Sequence, residues 1–377
     1  MKKLILSLIV LTSLTITNCS KSEENATTQE ENPLNPQRPQ VPQPNQEPPI
    51  TSADFTLSED GKTLVRWNNT TRTTLDMKAH PLLSQVTTID SWAFEDRNSL
   101  KTIVFPETLT TIKGGAFSKT GLTSVIIPET VTSIGNYAFS NCNSLTSVSI
   151  PKTVTDLEDW IFENCGNLEE VTYGPKTFKA SLFNNCTSLR KVILLEGVTT
   201  IGTWAFENRK ALKEVHFSST VTTINANAFS GSGLSTITIP ETITTIGASA
   251  FSNCKSLISA SIPKSVISLG DWVFENCENL EEVTFGPKTL KNALFSGCTN
   301  LKNVTLLEKI TTIGPWAFEN RTNFTTLTIK ATTPPSIGEI TFKNTALTHI
   351  YVPAASVDSY KNDRKWGVFA DKIQAIP

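Results

Sequence analysis

The chain is short of the side chains that most catalytic and metal sites draw on. Its 377 residues include three histidines, His80, His216 and His349, well separated in sequence. Imidazole-based acid–base or metal chemistry therefore has little to work with. No Gly-x-Ser-x-Gly, His-Glu-x-x-His or phosphate-cradling glycine loop occurs. Carboxylates such as Glu169 and Glu281 fall in related but distant parts of the chain. An excess of positive charge is also lacking: 33 basic side chains face 35 acidic ones, a net charge of −2. A nucleic-acid binder would favour a basic surface, so that partner is not expected. These shortages point away from an enzyme and from any cofactor or metal.

A membrane-spanning run is missing as well. The apolar stretch from Leu4 to Ile16, behind Lys2 and Lys3, is shorter than the roughly 20 residues a spanning helix needs. It has the form of an export signal. The "ITNC" that follows resembles a bacterial lipoprotein box, with residues 1–18 removed and Cys19 carrying the lipid. Acyl chains on Cys19 would hold the protein on a membrane without spanning it. "SKSEEN", next in line, resembles the surface-export signal of Bacteroidetes lipoproteins. Residues 19–50 then read as a tether. "NPLNPQRPQVPQPNQEPPI" has almost nothing to bury and many prolines, which favour extended polyproline II. About 30 such residues would reach up to ~90 Å from the membrane.

What the chain has in abundance is repetition. Phenylalanine recurs at 94, 117, 139, 162, 183, 206, 229, 251, 274, 295, 318 and 342, at spacings of 21 to 24 residues. Around each, the same frame returns. In "TSIGNYAFSNCNSLTSVSIPKTV" the frame residues are Ile134, Ala138, Phe139, Cys142, Leu145, Val148, Ile150, Pro151 and Val154. Leu145, Val148 and Ile150 contain the alternation of a strand that a proline ends. "VTDL" supplies a second extended piece, and "YAF" is short enough for a 3₁₀ turn. Each unit is one coil that cannot bury its apolar side chains alone, and stacked coils share a continuous core. At about 4.8 Å per coil, twelve coils make a body roughly 55 Å long. The fold class expected is a repeat solenoid of short parallel β-strands and 3₁₀ turns, with about twelve coils.

The "IG..AF..C..L..V.IP..V" frame of residues 86–353 resembles the BspA-like leucine-rich repeat family of bacterial surface proteins. The resemblance implies a right-handed solenoid, surface display on the bacterial outer membrane, and binding of proteins on host matrix or neighbouring cells. It does not imply catalysis. The flanks read as caps: an N-terminal β cap over residues 51–85, with a hairpin turning at Asp60-Gly61, and a C-terminal cap over 354–377.

A longer period lies above the coil. Residues 86–197 align with 198–309 without a gap, with 68 of the 112 positions identical. This bears on conspicuous motifs. "TWAFENR" at Thr203–Arg209 looks like a catalytic cluster, yet its "WAFE" core returns at Trp92 and Trp316. It is expected to be a corner of a coil. Six cysteines, Cys142, Cys165, Cys186, Cys254, Cys277 and Cys298, each lie three residues after a frame phenylalanine. Two runs of three cannot all pair internally, so a ladder of buried free thiols is expected rather than disulfides or a metal site. Trp92, Trp160, Trp204, Trp272 and Trp316 are expected to lie over a coil edge, partly exposed. An aromatic stripe for a sugar is the alternative.

The outward strand positions are the better binding candidates. Alternation places Glu170, Lys191, Glu214, Glu282, Asn303 and His349 in one outward column, and Thr172, His216, Thr238, Thr284 and Tyr351 in the next. Glu170, Lys191 and Glu214 fall on consecutive coils, where they would pair across strands. The expected function is non-enzymatic surface binding, with a protein as partner, a glycan as the alternative ligand, and the membrane reached only through the lipid. A structural envelope protein is the remaining reading.

Overall fold

The computed structural model describes residues 47–377; the signal sequence, Cys19 and most of the proline-rich segment lie outside the described residues. Pro48–Pro377 is a parallel-strand β-solenoid of about 14 turns with little helix.

Each coil has three sides. The first is a strand of three or four residues, such as Ser147–Ile150, Glu170–Tyr173 and Lys191–Leu194, paired in parallel with its neighbours. Val171 aligns with Val148 and Val192, so inward residues stack on inward residues along the whole solenoid. The second is a strand of two residues, usually Thr-Ile, as in Thr200–Ile201 and Thr223–Ile224. Its threonine points out and its isoleucine in, which suits a β-branched pair on a half-buried strand. Threonines next to these strands have a second task. Thr110, Thr132, Thr222 and Thr244 point their hydroxyls at the carbonyls of Thr87, Thr110, Thr199 and Thr222 in the preceding coil. Part of the threonine richness is thus explained by satisfaction of backbone oxygen atoms.

The third side carries the frame phenylalanine and is not a strand. Its amides still reach the next coil: Trp204, Phe206 and Asn208 donate to the carbonyls of Ala226, Ala228 and Ser230 at 3.1, 2.7 and 2.7 Å. Between them, Glu207 and Arg209 donate back to Trp204 and Phe206 within their own coil. Alternating the two directions requires left-handed residues. All twelve positions two residues after a frame phenylalanine have positive φ: eight are asparagine, two are glycine, and the others are Asp96 and Lys119. Asparagine tolerates this region better than most residues. Here its side chains also form a ladder, with Asn185 donating to Asn164 at 2.8 Å and Asn344 to Asn320 at 2.8 Å. A regular 3₁₀ turn occupies this side only at Ala180–Phe183. Elsewhere the left-handed residues interrupt the 3₁₀ pattern expected from the short motif.

The phenylalanines stack face to face. Phe94, Phe117, Phe139, Phe162 and Phe183 follow one another at 4.7 to 5.3 Å. Phe178 then inserts between Phe183 and Phe206. Its counterpart one block later is Leu290, and there Phe295 and Phe318 meet directly at 5.8 Å. Both ends of the stack are closed by buried tryptophan. Trp67, on the hairpin strand Thr63–Trp67, stacks on Phe94. Trp366 packs on Phe342 and donates its indole N–H to the Pro335 carbonyl at 2.7 Å. The strand Phe55–Leu57 pairs antiparallel with Thr63–Trp67, and Ile373–Ala375 adds in parallel to His349–Val352. These segments cover coil ends that would otherwise expose the core.

Candidate functional site

The cysteine column carries structure. All six repeat thiols are buried and free. Each points at the carbonyl of the frame phenylalanine one coil back, as Cys165 does to Phe139 and Cys186 to Phe162 at 3.1 and 3.2 Å. Arg209 stands in the same column and performs the same contact, its guanidinium donating to the Phe183 carbonyl at 3.1 Å. "TWAFENR" is therefore a coil corner: Phe206 is core, Asn208 is the left-handed residue, and Arg209 replaces the thiol. Burial lifts the Cys186 thiol to about 12, against the pull of Arg209. Cys165 and Cys277 are also raised, first by hydrogen bonding with neighbouring thiols and then by burial. Cys142 and Cys254 are lowered, chiefly by hydrogen bonding with Cys165 and Cys277, so what keeps all six from reagents is their burial. At pH 8 the folded protein is expected to leave all six repeat thiols unlabelled by a maleimide and to expose them together on denaturation. Labelling of any one in the native state contradicts the ladder.

The strand face holds a polar opening. Register places Glu170, Lys191 and Glu214 side by side on consecutive strands, with Thr172 and His216 in the next outward row. A cleft of about 450 Å³ opens among Thr146, Ser147, Glu169, Glu170, Arg190, Lys191, Lys213 and Glu214. Lys191 pairs with Glu170 at 3.1 Å, and Arg190 with Glu169. His216 lies 3.3 Å from Glu214. These pairs are half exposed, so each stabilises the fold by less than about 1 kcal/mol. The other sequence candidates are elsewhere on the face. Thr238 is on the strand Thr236–Thr238, which is not hydrogen-bonded to Glu214–His216. Glu282, Thr284 and Asn303 belong to the second block, where Asn303 donates to Glu282 at 3.3 Å. His349 and Tyr351 stack on each other at the far end, with ring centroids 5.7 Å apart. The alternation argument missed Arg190 and Lys213. Both precede their strands, where Leu189 and Val192 are three residues apart and the period of two does not apply.

This cleft breaks the internal duplication. At a shift of 112, Glu169, Glu170 and Arg190 become Glu281, Glu282 and Lys302, and Lys302 again pairs with Glu281 at 2.9 Å, whereas Lys191, Lys213, Glu214 and His216 become Asn303, Thr325, Thr326 and Thr328. The coil geometry and the first ion pair are kept while the charges at Lys191, Lys213 and Glu214 are not, so the coil does not dictate those three side chains.

The tryptophans form a second feature. Trp92, Trp160, Trp204, Trp272 and Trp316 all have positive φ and are 40 to 53% exposed. A left-handed conformation costs a residue with a Cβ about 1–2 kcal/mol relative to glycine. Half-burying an indole returns a similar or larger amount. The space for one ring is made by a glycine: a Cβ on Gly115, itself at φ +64°, would lie 2.2 Å from the Trp92 ring. Coils without tryptophan place Gly115, Tyr137, Asn227, Ser249, Ala293 or Ile340 there in the same conformation, and Ser181 without it. Trp160 also stacks on Tyr137 at 5.5 Å. The five indoles do not run as one stripe, since coils without them intervene. Trp272 and Trp316 flank the coil of Ala293, and the three border an opening of about 590 Å³. Among the described residues, no group of three or more His, Cys, Asp or Glu is placed to hold a metal ion.

Comparison with known proteins follows the same lines. Three overlapping segments, residues 72–190, 176–298 and 286–363, match the family model of the BspA type leucine rich repeat region. A leucine-rich repeat protein from Bacteroides ovatus is 24% identical, with a TM-score of 0.57 over 84% of this chain and 88% of that one. A leucine-rich repeat protein from Eubacterium ventriosum is 25% identical over 76% of this chain and 81% of that one, with a TM-score of 0.40. A leucine rich cell surface protein from Faecalibacterium prausnitzii is 24% identical over 88% of this chain and all of that one, with a TM-score of 0.37. No curated protein matches the chain.

Proposed function

The chain belongs to the BspA-type leucine-rich repeat family, and from this premise we propose that it is a non-enzymatic binding protein displayed on the bacterial surface. Its partner is a protein on host matrix or on a neighbouring cell, held against the strand face around Glu170, Lys191 and Glu214. The observation that carries this reading is the charged cleft at the junction of the two blocks, whose Lys191, Lys213 and Glu214 are not repeated at a shift of 112. Alternating acid and base on a rigid sheet suits a partner of complementary pattern, since such charges set partner choice and association rate. Outer-membrane anchoring follows from lipid on Cys19, with residues 19–50 as the tether. Many copies on one membrane turn weak contacts into firm attachment.

The test is a binding screen of residues 48–377 against matrix proteins, followed by Glu170→Lys and Lys191→Glu. Each reversal is expected to slow association with the captured protein about tenfold and to flatten its salt dependence. The double reversal restores the Glu170–Lys191 pair in the opposite sense, yet leaves binding impaired because the partner still meets the wrong pattern. Unchanged association in all three variants removes this face from the interface. Display is tested by proteolysis of intact cells: digestion only after lysis would place the protein inside the envelope.

A further inference from the structure

A second exposed surface, apart from the strand face, lies between the coils of Trp272 and Trp316. Trp272 and Trp316 are half exposed and separated by one coil, with the partly buried Ala293 between them. Their opening, about 590 Å³, is also lined by Thr289, Lys291 and Asn292. Thr289 and Lys291 are shared with an adjoining opening of about 390 Å³. That neighbour is lined by Lys264, Lys288, Lys291 and Lys309, with exposed Ile267 at its side, and by no carboxylate. Lys291 pairs with Asp271 at 3.1 Å on the rim of the tryptophan opening. Lys264, Lys288 and Lys309 form no ion pair among the described residues. Glu308 adjoins Lys309 in sequence but does not line the opening.

Lys152 and Lys176 stand at the positions of Lys264 and Lys288 in a similar opening of the first block, beside exposed Trp160 and Trp204, so the second opening is set apart by its further lysine, Lys309. The fold explains the opening: the short-strand sheet breaks between Ser268–Leu269 and Thr289–Leu290. It does not explain Lys309, which has no counterpart in the first block. The equivalent break in the first block, between Asp156–Leu157 and Thr177–Phe178, keeps Lys152, Lys176 and Lys179 at the positions of Lys264, Lys288 and Lys291 but engages them differently. There Lys179 is spent on the Leu157 carbonyl at 2.6 Å, and Ser181 donates to Asp159 at 2.6 Å. Gly197 stands where the second block has Lys309.

We infer that the surface formed by Trp272, Trp316, Lys288, Lys291 and Lys309 binds an acidic polysaccharide. The flat faces of the sugar rings pack on the indoles. Carboxylate or sulfate groups of the chain meet the lysines, whose flexible, compact charges suit anions spaced along a polymer. A neutral glycan would leave the lysines without a role, and an acidic polypeptide would make little use of the indole pair.

The experiment uses the full chain and three probes: chondroitin sulfate and polygalacturonate as acidic polysaccharides, and dextran as the neutral one. Affinity electrophoresis and calorimetry give the dissociation constants, and polyglutamate serves as competitor. Trp272→Asn with Trp316→Asn uses a residue that the same backbone position already accepts at Asn227. Lys288→Gln with Lys309→Gly restores at the second site the glycine of the first block. At least one acidic polysaccharide is expected to bind while dextran does not. Either double variant weakens that binding at least tenfold with an unchanged melting temperature, and Trp160→Asn with Trp204→Asn leaves it within twofold. Failure of both acidic polysaccharides to bind overturns the inference. So does binding that survives the tryptophan variants and is displaced by polyglutamate, which would mark a charge-only surface for acidic protein.

Discussion

Phe229→Ala is expected to lower the unfolding free energy by about 3–5 kcal/mol, read as a fall in the urea midpoint. Phe229 is fully buried and lies 5.1 Å from both Phe206 and Phe251, with Phe217 against its edge. Its removal opens a cavity between three coils held by interlocking main-chain hydrogen bonds, so the gap cannot close by a local shift. In a solenoid each coil touches only its neighbours, and no other part of the molecule replaces the lost contact. The cost should depend on place in the stack. Phe342 is only partly buried and adjoins the C-terminal cap, so Phe342→Ala is expected to cost less. Equal losses at the two positions would show that the stack does not act as a chain of neighbour contacts.

Gly233→Ala is the second large effect, expected at about 2–3 kcal/mol from overpacking. A Cβ at Gly233 would lie 1.9 Å from the Lys210 carbonyl oxygen and 3.2 Å from that of Leu212, both main-chain atoms. The reason is a deletion. From Phe229 to Leu234 the chain takes one residue fewer than from Phe251 to Leu257. The shortened corner runs against the preceding coil, where the Gly233 amide donates to the Arg209 carbonyl at 3.0 Å. Gly121, in the first block, makes the same approach to Asn98. Gly166 is the control: nothing lies within 4 Å of its added Cβ, and Gly166→Ala should change stability by no more than about 0.5 kcal/mol. The same chemical denaturation measures both, and a neutral Gly233→Ala would refute the close approach.

Much of this is legible in the sequence. The Phe and Leu frame fixed the coil, because a side chain that recurs every 21 to 24 residues can only stack on its own copies. Free, buried thiols followed from runs of three. The left-handed column was visible but unread: asparagine stands two residues after eight of the twelve frame phenylalanines, which is a backbone signal. Trp204 and its copies read as edge residues, and the structure places them at an edge. Their left-handed backbone was not foreseen, since tryptophan is the wrong residue from which to infer it.

By itself, then, the sequence determined the period, the inward residues and the pairing of like with like. Those follow from local alternation and from burial, which every coil must satisfy alone. The tertiary structure decided which outward side chains meet. Lys288 and Lys309 are 21 residues apart in sequence and share an opening, and Arg190 and Lys213 likewise, across a gap of 23. Such neighbours are set by the stacking register and by breaks in the short-strand sheet. Both are properties of several coils together, and neither is written in any one of them.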